Sequence, residues 1–360
     1  MRIKAVLTLL SMTLMLCAVG SVTALSPSQE TVVLPPIVAD ADTIVDRTHP
    51  DKNFGNERDL VARDFVTVFS FIRFNLSSIP QEIINAHISG WQNYIASAKL
   101  RIFVYEKPSS GYGIVGTQYF EQGWNEYTLT YNLLEQIVGG PIFGIGGDLF
   151  NLSQIQTCSF AEIDVTDLTN SYIRDHPTSK EITFHINVDA NQNFIFSSRH
   201  HPPSFRPTLL LVYKKIATSL TLHISKRNLT TTESLNSWGT TEPILRGAIV
   251  KLMYYPPNSV TPIERRAMVN DVGQFEDDFT PNIIGIWRVV AQFDGTDIYA
   301  TSRSEELSFV VKEPIEPAPP MQFYLPYIVL GALIVAIPIG IFFLLKRKKP
   351  SNPLPSNTPR

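Results

Sequence analysis

The feature that most constrains this chain is an uncharged apolar run of 23 residues, 323–345, close to its C-terminus. A helix needs about 20 such residues to cross the hydrocarbon core of a bilayer. Four basic residues, 346–349, follow the run directly, and Glu313 and Glu316 lie on its other side. Because basic residues stay on the cytoplasmic side of a span, the run predicts a transmembrane helix with the preceding residues outside the cell. Its length and flanks disfavour the alternative, a buried helix of a globular core.

The N-terminal residues predict export. Arg2 and Lys4 precede an apolar stretch, 5–19, that is too short for a span, and the small residues up to Ala24 offer a cleavage site. These are the parts of a secretory signal peptide, which we place at residues 1–24. Together with the anchor they predict a single-pass type I protein of the cell membrane with extracellular N-terminal domains.

The charge of the exported part limits its partners. Without the signal peptide and the basic cytoplasmic tail, 346–360, the chain keeps 23 basic and 33 acidic residues, a net charge of −10. An acidic exterior disfavours nucleic acid, because the phosphate backbone is itself anionic. The membrane is a partner through the single span, and no nucleic-acid partner is predicted.

Short runs of alternating or β-branched residues, separated by Gly, Pro and Asn, predict an all-β fold for the exported part. Lys99 and Arg101 alternate with Leu100 and Ile102, which places one face of a strand in the core and the other in water. One helical turn or two is expected at 165–174, and the glycine-rich stretch 137–149 is expected to be a loop. The clearest predicted strands are 67–75, 98–105, 160–165, 182–188 and 207–213.

The first half of the chain contains a series of short motifs in a fixed order. They are 42–45 (DTIV), 53–55 (NFG), 73–77 (RFNLS), 97–102 (SAKLRI), 124–126 (WNE), 163–166 (IDVT), 196–199 (FSSR) and 206–213 (RPTLLLVY). Together they resemble the DNRLRE-type domain, a family also described as carbohydrate-binding-module-like and disaggregatase-related. The resemblance covers residues 38–215 and implies a jelly-roll-like β-sandwich on secreted or surface proteins, in some members binding polysaccharide. Two positions depart from the family pattern: Tyr131 stands where Trp is frequent, and His200 where an acidic residue is frequent.

A second β-unit is predicted at residues 217–312. The segments 285–289 (GIWRV) and 293–299 (FDGTDIY) resemble the close of a bacterial or archaeal Ig-like domain, which implies a second β-sandwich without a disulfide. Trp287 is then expected in its core, and Gly273 in a turn with positive φ. Residues 25–37 are interpreted as a leader, and the proline-rich residues 313–322 as a stiff spacer.

Aromatic side chains are the first candidates for function, because an exposed ring can stack on a sugar. Several lie in the first domain, including Tyr119 and Tyr127, and those on expected loops favour a ligand surface. The candidate sugar-binding residues are Trp91, Tyr94, Tyr112 and Trp124.

Acidic residues near strand ends give a second hypothesis. Asp40, Asp42 and Asp164 offer the oxygen ligands that calcium prefers, and solvated surface carboxylates are the alternative. Asn75, Asn151 and Asn228 begin Asn-Leu-Ser/Thr sequons and are candidate glycosylation sites. Cys158, the one cysteine left after signal cleavage, is expected to be buried as a small apolar residue.

The sequence offers no convergent catalytic set. It lacks a His-Glu-x-x-His pair, a Gly-x-Ser-x-Gly elbow and a partner for Cys158, so we predict a protein that is not an enzyme. The predicted function is adhesion to extracellular or cell-envelope polysaccharide. The alternatives are a purely structural envelope spacer that contacts other proteins and, disfavoured, an enzyme that degrades polysaccharide.

Overall fold

The computed structural model describes residues 29–64, 66–90, 92–138, 147–189, 191–314 and 325–346. The predicted signal peptide lies outside the described residues, and so do most of the basic tail and of the proline-rich spacer. Two β-units follow one another along the chain, each with its own apolar core.

The first unit is built from twelve strands. They pair into a seven-stranded sheet of order β1-β12-β6-β11-β4, with β2 on β12 and β9 on β6, and a five-stranded sheet of order β3-β5-β10-β7-β8. The strands are β1 (Thr31–Val33), β2 (Ile37–Val38), β3 (Ala41–Asp46), β4 (Asp59–Ala62), β5 (Val68–Asn75), β6 (Ile95–Glu106), β7 (Tyr112–Thr117), β8 (Asp148–Asn151), β9 (Ser159–Asp164), β10 (Glu181–Val188), β11 (Phe194–Ser197) and β12 (Thr208–Lys214).

The two sheets pack as a sandwich, as predicted for an all-β unit. Leu100, Ile102 and Val104 of β6 share the main core with Ile72 of β5 and Phe184 of β10. Each of the five strands expected from the sequence coincides with a strand of the structure to within three residues at either end.

The five-stranded sheet is covered on both faces. Phe69 and Phe71 of β5 point away from the main core and form a second cluster with Phe120, Trp124 and Leu134. Buried residues therefore run without alternation along β3 and most of β10, as expected of a strand with no solvent face.

Three helices accompany these sheets: α1 (Gln81–Gly90), α2 (Tyr131–Val138) and α3 (Thr166–Asp175). The third matches the predicted helical turns, and the first two were not predicted. The expected loop at 137–149 holds the end of α2 and the start of β8, and its residues 139–146 lie outside the described part.

The prediction for Cys158 was wrong. Cys158 is exposed, in the turn before β9, with φ of 54°. Its backbone N–H donates to Val104 O at 2.7 Å. This turn holds the side chain outside the sandwich and away from the core.

The second unit consists of two further sheets, with orders β13-β16-β14 (β19 on β16) and β15-β22-β20-β17-β18 (β21 on β20). Trp287 is fully buried and Gly273 has φ of 81°, as predicted. The strands are β13 (Ser219–Leu220), β14 (His223–Ile224), β15 (Asn228–Thr230), β16 (Leu235–Glu242), β17 (Ile249–Tyr255), β18 (Ile263–Met268), β19 (Gln274–Phe279), β20 (Gly285–Phe293), β21 (Ser302–Arg303) and β22 (Leu307–Lys312).

Glu30, just before β1, forms hydrogen bonds that link the two units where the chain passes between them. One carboxylate oxygen accepts from the backbone N–H and hydroxyl of Thr301 at 2.9 and 2.7 Å, and the other pairs with Lys215 Nζ at 2.9 Å. These hydrogen bonds lower the pKa of Glu30 to about 2. The connecting Ile216 also makes a backbone bridge to Tyr299.

Helix α4 (Leu325–Lys346) occupies most of the C-terminal apolar run. Within the part of the chain whose side chains the structure describes, no helix is both long and apolar enough to cross a membrane. The membrane span therefore stays a prediction.

Candidate functional site

Several of the resembling motifs meet at one corner of the first unit, although they lie far apart in the sequence. The Arg199 guanidinium donates to both carboxylate oxygens of Glu126, with Nε to Oε2 at 2.6 Å. The Arg199 backbone N–H donates to Asp42 Oδ2 at 2.5 Å, and the Asp42 N–H donates to Glu126 Oε2 at 3.1 Å. We call Asp42, Glu126, Arg199 and His200 the corner cluster. It joins β3 and the chain after β11 to the loop 118–129.

Burial and the ion pair set the charges in the corner cluster. Asp42 is almost fully buried, and this burial raises its pKa to about 7 against the hydrogen bond from Arg199. Burial acts in the same direction on Glu126, but the hydrogen bonds from Arg199 and Tyr127 outweigh it and lower the pKa of Glu126. Glu126 and Arg199 are therefore ionised at neutral pH, where Asp42 titrates.

The NFG motif holds the same loop from its other side. Asn53 Nδ2 donates to the carbonyl oxygens of Glu126 and Leu129 at 2.7 and 2.8 Å. A Cβ on Gly55 would lie 2.0 Å from Glu126 O, so only glycine permits this approach. His200 Nε2 lies 2.9 Å from Gly55 O. These contacts fix the backbone around Glu126.

Asp42, Glu126 and His200 are also a group that could hold a metal ion, since each offers a ligand atom within 4.8 Å of the others. The positive charge beside Glu126 is supplied by Arg199, and Nε2 of His200 is bonded to Gly55 O. A carboxylate that accepts two charge-assisted bonds from one guanidinium is already well satisfied. We interpret the corner cluster as an ion-pair network that positions the loop.

The loop held by the corner cluster forms one wall of an open groove of about 1120 Å³. Helix α2 also lines this groove, and so do Arg73 and Glu181 of the five-stranded sheet. We call this the loop groove. Its lining is Arg73, residues 118–125, Thr128, Leu129, Leu133, Ile137, Val138 and Glu181.

Three aromatic residues, Tyr119, Phe120 and Trp124, line the loop groove together with two polar side chains that bond to no protein group among the described residues. Tyr119 is 36% exposed, and its ring stacks on His176 with centroids 3.9 Å apart, which holds the ring in place. Trp124 is only 8% exposed, and its Nε1 donates to Thr183 Oγ1 at 2.9 Å. Within the described residues, the side chains of Glu121 and Gln122 make no hydrogen bond to protein. A fixed ring beside free polar groups suits the binding of a sugar.

The four predicted sugar-binding residues do not form one site. Trp124 lines the loop groove. Tyr112 is half exposed and lines a second groove, of about 640 Å³, beside β8 and β9, which we call the edge groove. Tyr94 is buried in the main core beside α1, so its predicted loop exposure was wrong. Trp91 lies outside the described residues.

The three predicted calcium ligands are likewise separated. Asp40 pairs with Arg73 at 2.9 Å, and Asp42 belongs to the corner cluster. Asp164 lies on β9 of the other sheet, and its Oδ1 accepts from the Thr166 N–H at 2.9 Å. Hydrogen bonds from the Thr166 hydroxyl and N–H lower the pKa of Asp164. Whether calcium binds stays a prediction.

The sequons lie at exposed or part-exposed positions. The Oδ1 atoms of Asn75 and Asn151 accept from the N–H two residues on, at 2.8 and 2.9 Å, and Asn228 begins the exposed end of β15. Occupancy by glycans stays a prediction.

The sequence reasoning missed an aromatic strip on the outer face of β6 and β9. Phe103 lies 5.2 Å from Phe160 and 4.8 Å from Phe205 between ring centroids, and Tyr105 continues the strip. The signal was present: Phe103 and Tyr105 continue the outward alternation that begins with Lys99 and Arg101.

The comparison with protein families bears on this first unit. Residues 36–213 match the model of carbohydrate-binding module family 96. The segment is a carbohydrate-binding-module-like domain. It contains the corner cluster and the loop groove in full. Carbohydrate-binding modules bind and do not themselves catalyse, and the match does not extend to the second unit.

Comparisons with curated proteins and with solved structures support no functional assignment for this chain. No curated protein matches the chain. A β-glucuronidase from Bifidobacterium dentium, solved with coumarin-3-O-glucuronide, is 9% identical with a TM-score of 0.22, and 79% of this chain and 48% of that chain are covered. A DUF4785 family protein from Legionella pneumophila is 11% identical with a TM-score of 0.21, and the coverages are 79% and 66%. This chain thus spans about half of the first protein and about two thirds of the second. TM-scores this low support no inference about activity.

Proposed function

We propose that the chain is a membrane-anchored surface protein that binds a neutral polysaccharide through the loop groove. The observation that carries this proposal is the loop groove itself, in a carbohydrate-binding-module-like domain, with the fixed Tyr119 ring beside the free side chains of Glu121 and Gln122. Rings supply stacking area to a sugar, and amide and carboxylate groups accept and donate hydrogen bonds to its hydroxyls.

The charges of the loop groove favour a neutral ligand over a polyuronate or a sulfated glycan. Arg73 is the basic residue of the lining, and it is paired with Asp40 at 2.9 Å and Glu181 at 3.5 Å. Glu121 and Glu181 add negative charge to the lining. Residues 36–213 contain 12 basic and 19 acidic residues, a net charge of −7. An anionic chain would therefore be repelled.

Anchoring at the cell surface is supported by the sequence pattern at the C-terminus. The apolar run that contains α4 ends at four basic residues, which favours an outside position for both β-units. The protein then presents the loop groove to extracellular or cell-envelope polysaccharide as an adhesin.

The test is affinity electrophoresis of the full-length chain in detergent, through gels that contain neutral or acidic polysaccharides. We expect retardation by one or more neutral polymers, lost in Tyr119→Ala and kept in Tyr119→Phe, which retains the ring. Retardation by acidic polymers alone would overturn the ligand class. Free migration of a folded protein through every gel would favour the structural alternative, a spacer that contacts other proteins.

A further inference from the structure

The second unit gathers exposed aliphatic side chains at the end from which the chain leaves it. Two segments form this end: residues 256–263, from the end of β17 to the start of β18, and residues 280–286, from the end of β19 to the start of β20. We call them the tip loops. Large apolar groups that are gathered on a surface mark an interaction site. The exposed aliphatic residues are Val260, Ile263, Ile283, Ile284 and Ile286, with exposed fractions from 40% to 89%.

The tip loops lie against each other. Strands β17 and β20 pair antiparallel with Tyr255 opposite Arg288, so the segment after Tyr255 runs beside the segment before Arg288. A Cβ on Gly285 would lie 2.7 Å from Pro257 Cγ, and Arg288 Nη2 donates to Ser259 O at 3.5 Å. The five aliphatic side chains therefore share one end of the second unit.

Hydrogen bonds hold the backbone of both tip loops in place. Trp287 Nε1 donates to Ile283 O at 2.8 Å, which fastens residues 280–286 to the buried core. In the other loop, Ser259 Oγ donates to Thr261 O at 3.0 Å and accepts the Thr261 N–H at 3.1 Å. Because the loops are ordered before any contact forms, binding through them costs little conformational entropy.

The tip loops contain no charged residue. Their sequences, PPNSVTPI and TPNIIGI, hold aliphatic residues, proline, glycine, hydroxyls and amides. In the adjoining loop 231–234, Glu233 is paired with Lys226 at 2.8 Å. The loops at the opposite end of the unit, 243–248 and 269–273, carry Arg246 and Asp271, which pair at 2.6 Å. Since a charged group is costly to bring to the depth of the lipid, the absence of charge from both tip loops favours a bilayer surface as their partner.

The place of the tip loops in the chain identifies the same partner. Val311 pairs with Gly285, and β22 ends one residue later at Lys312. Twelve residues, 313–324, separate this point from α4, which lies in the apolar run proposed as the membrane span. A chain of this length reaches at most about 40 Å. The bilayer is therefore within reach of the tip loops, and the tether gives a high effective concentration at which weak contacts suffice.

We propose that the tip loops are a membrane-contact surface whose aliphatic side chains insert among the lipid headgroups. The proposal rests on the proposed anchoring at the cell surface, but it concerns residues that the anchor itself does not need. A phospholipid surface offers apolar chains beneath a polar layer, which suits aliphatic side chains beside hydroxyls and amides. The second unit then stands in a defined orientation on the membrane.

The test is spin labelling of the full-length chain in phosphatidylcholine vesicles, with Cys17→Ser and Cys158→Ser as the background. Val260→Cys carries the label in the tip loops, and Val272→Cys carries it at the opposite end of the unit, where Val272 is also exposed. Collisions of the label with oxygen, which dissolves in lipid, are compared with collisions with a water-soluble nickel chelate. We expect the ratio of oxygen to nickel collisions to be several-fold higher for the Val260 label than for the Val272 label.

A second variant tests whether the aliphatic side chains cause the contact. Ile284→Asp with Ile286→Asp should return the Val260 label to water, because charge opposes insertion. Met268→Asp is the matched control, exposed at the opposite end, and should leave the label in lipid. Melting curves check that each variant is folded. Protein without N-glycans is used, because the sequon residue Asn228 lies two strands away from Ile286.

The outcomes separate this proposal from the anchoring. A Val260 label that stays in water, in vesicles that keep the chain through alkaline carbonate washing, overturns the membrane contact and leaves the anchoring standing. A chain that the washing removes overturns both. A label that remains in lipid despite both aspartates shows that the tether alone sets its depth, and the insertion is wrong. Dipolar broadening that disappears on dilution with unlabelled chain would show that a second copy covers the tip loops, which also overturns the proposal.

Discussion

Arg199 and Glu126, 73 residues apart in the sequence, form a two-point ion pair that fastens the loop 118–129 to the sandwich. Glu126 is almost fully buried, and 27% of the Arg199 side chain is exposed. The same Glu126 accepts the backbone N–H of Asp42, so three chain segments meet on one carboxylate. The groove wall that carries Tyr119 and Trp124 therefore depends on a pair that is not itself in the groove lining.

Replacing Arg199 with Met should lower the free energy of unfolding by about 2–4 kcal/mol, because it leaves the buried Glu126 carboxylate without its partner. Chemical denaturation at pH 7 measures the change. The matched control is Lys226→Met, which removes the cation of the exposed Lys226–Glu233 pair and should cost at most about 1 kcal/mol. Equal costs in the two variants would show that the corner cluster is an ordinary surface contact.

Gly55→Ala should destabilise the protein strongly, because the new Cβ would lie 2.0 Å from the Glu126 carbonyl oxygen. Neither group is a flexible side-chain end, so the Glu126 loop itself must shift. Gly90→Ala is the control, since a Cβ there meets nothing within 4 Å. Thermal melting should show a large loss for Gly55→Ala and little change for Gly90→Ala. Similar melting temperatures for both would contradict the close approach of the NFG turn.

Asp42 predicts a pH dependence of stability. Burial raises its pKa to about 7 in the folded protein, against 3.8 for the free side chain. The folded state then binds the proton more tightly, so stability falls as pH rises from about 4 to 7 and is constant above that. Asp42→Asn removes this slope. The free energy of unfolding of the variant, relative to that of the natural protein, should therefore be higher at pH 8 than at pH 4 by up to a few kcal/mol. A pH-independent difference between the two proteins would refute the raised pKa.

His185 predicts the opposite dependence. It is fully buried on β10, neither ring nitrogen has a hydrogen-bond partner among the residues that the structure describes, and burial lowers its pKa to about 3. Because the unfolded chain binds the proton first, stability should fall as pH drops from about 6.5 toward 3. His185→Leu should remove this loss and raise stability at pH 5, since no polar atom remains unsatisfied.

The matched variant is His87→Leu. His87 is also buried, but Nε2 lies 3.0 Å from Asn170 O and Nδ1 accepts the Tyr94 N–H at 3.3 Å. Its loss leaves the buried Tyr94 N–H without this acceptor and should cost about 1–3 kcal/mol. Chemical denaturation of both variants at pH 5 and pH 8 measures these changes in the free energy of unfolding. A destabilised His185→Leu at both pH values would show that its nitrogens have a partner after all.

Local pattern predicted the strands well because alternation and β-branched runs report directly on the pleated backbone. It predicted α3 but missed α1, whose ten residues bury only Ile83, Ile84 and His87 and so carry a weak helical pattern. Helix α2 was missed because it packs on the outer face of the five-stranded sheet, and this tertiary contact cannot be predicted from the local sequence. Tyr94 was misplaced for the same reason: Gln92 and Asn93 before it are polar, and the core that receives it is built from residues far away in the sequence.

The corner cluster could be found only through the order of the family motifs. Asp42 and Arg199 are 157 residues apart, and no periodicity links them. The resemblance brought Asp42, Gly55, Glu126 and Arg199 into one domain, but it did not say that they touch. The edge groove was predicted only in part. Tyr112 was a candidate for sugar binding and Asp164 for calcium binding, and the structure places both in one lining.

The most direct test of the account is hydroxyl-radical footprinting of the full-length chain with and without the neutral polysaccharide that retards it. Radicals label exposed rings, so bound sugar should protect Tyr119 in the loop groove. Tyr127 and Trp238 are exposed and lie outside both linings, and their labelling should not change. Protection of Tyr127 or Trp238 with unchanged labelling of Tyr119 would contradict the account and place the binding surface elsewhere on the protein.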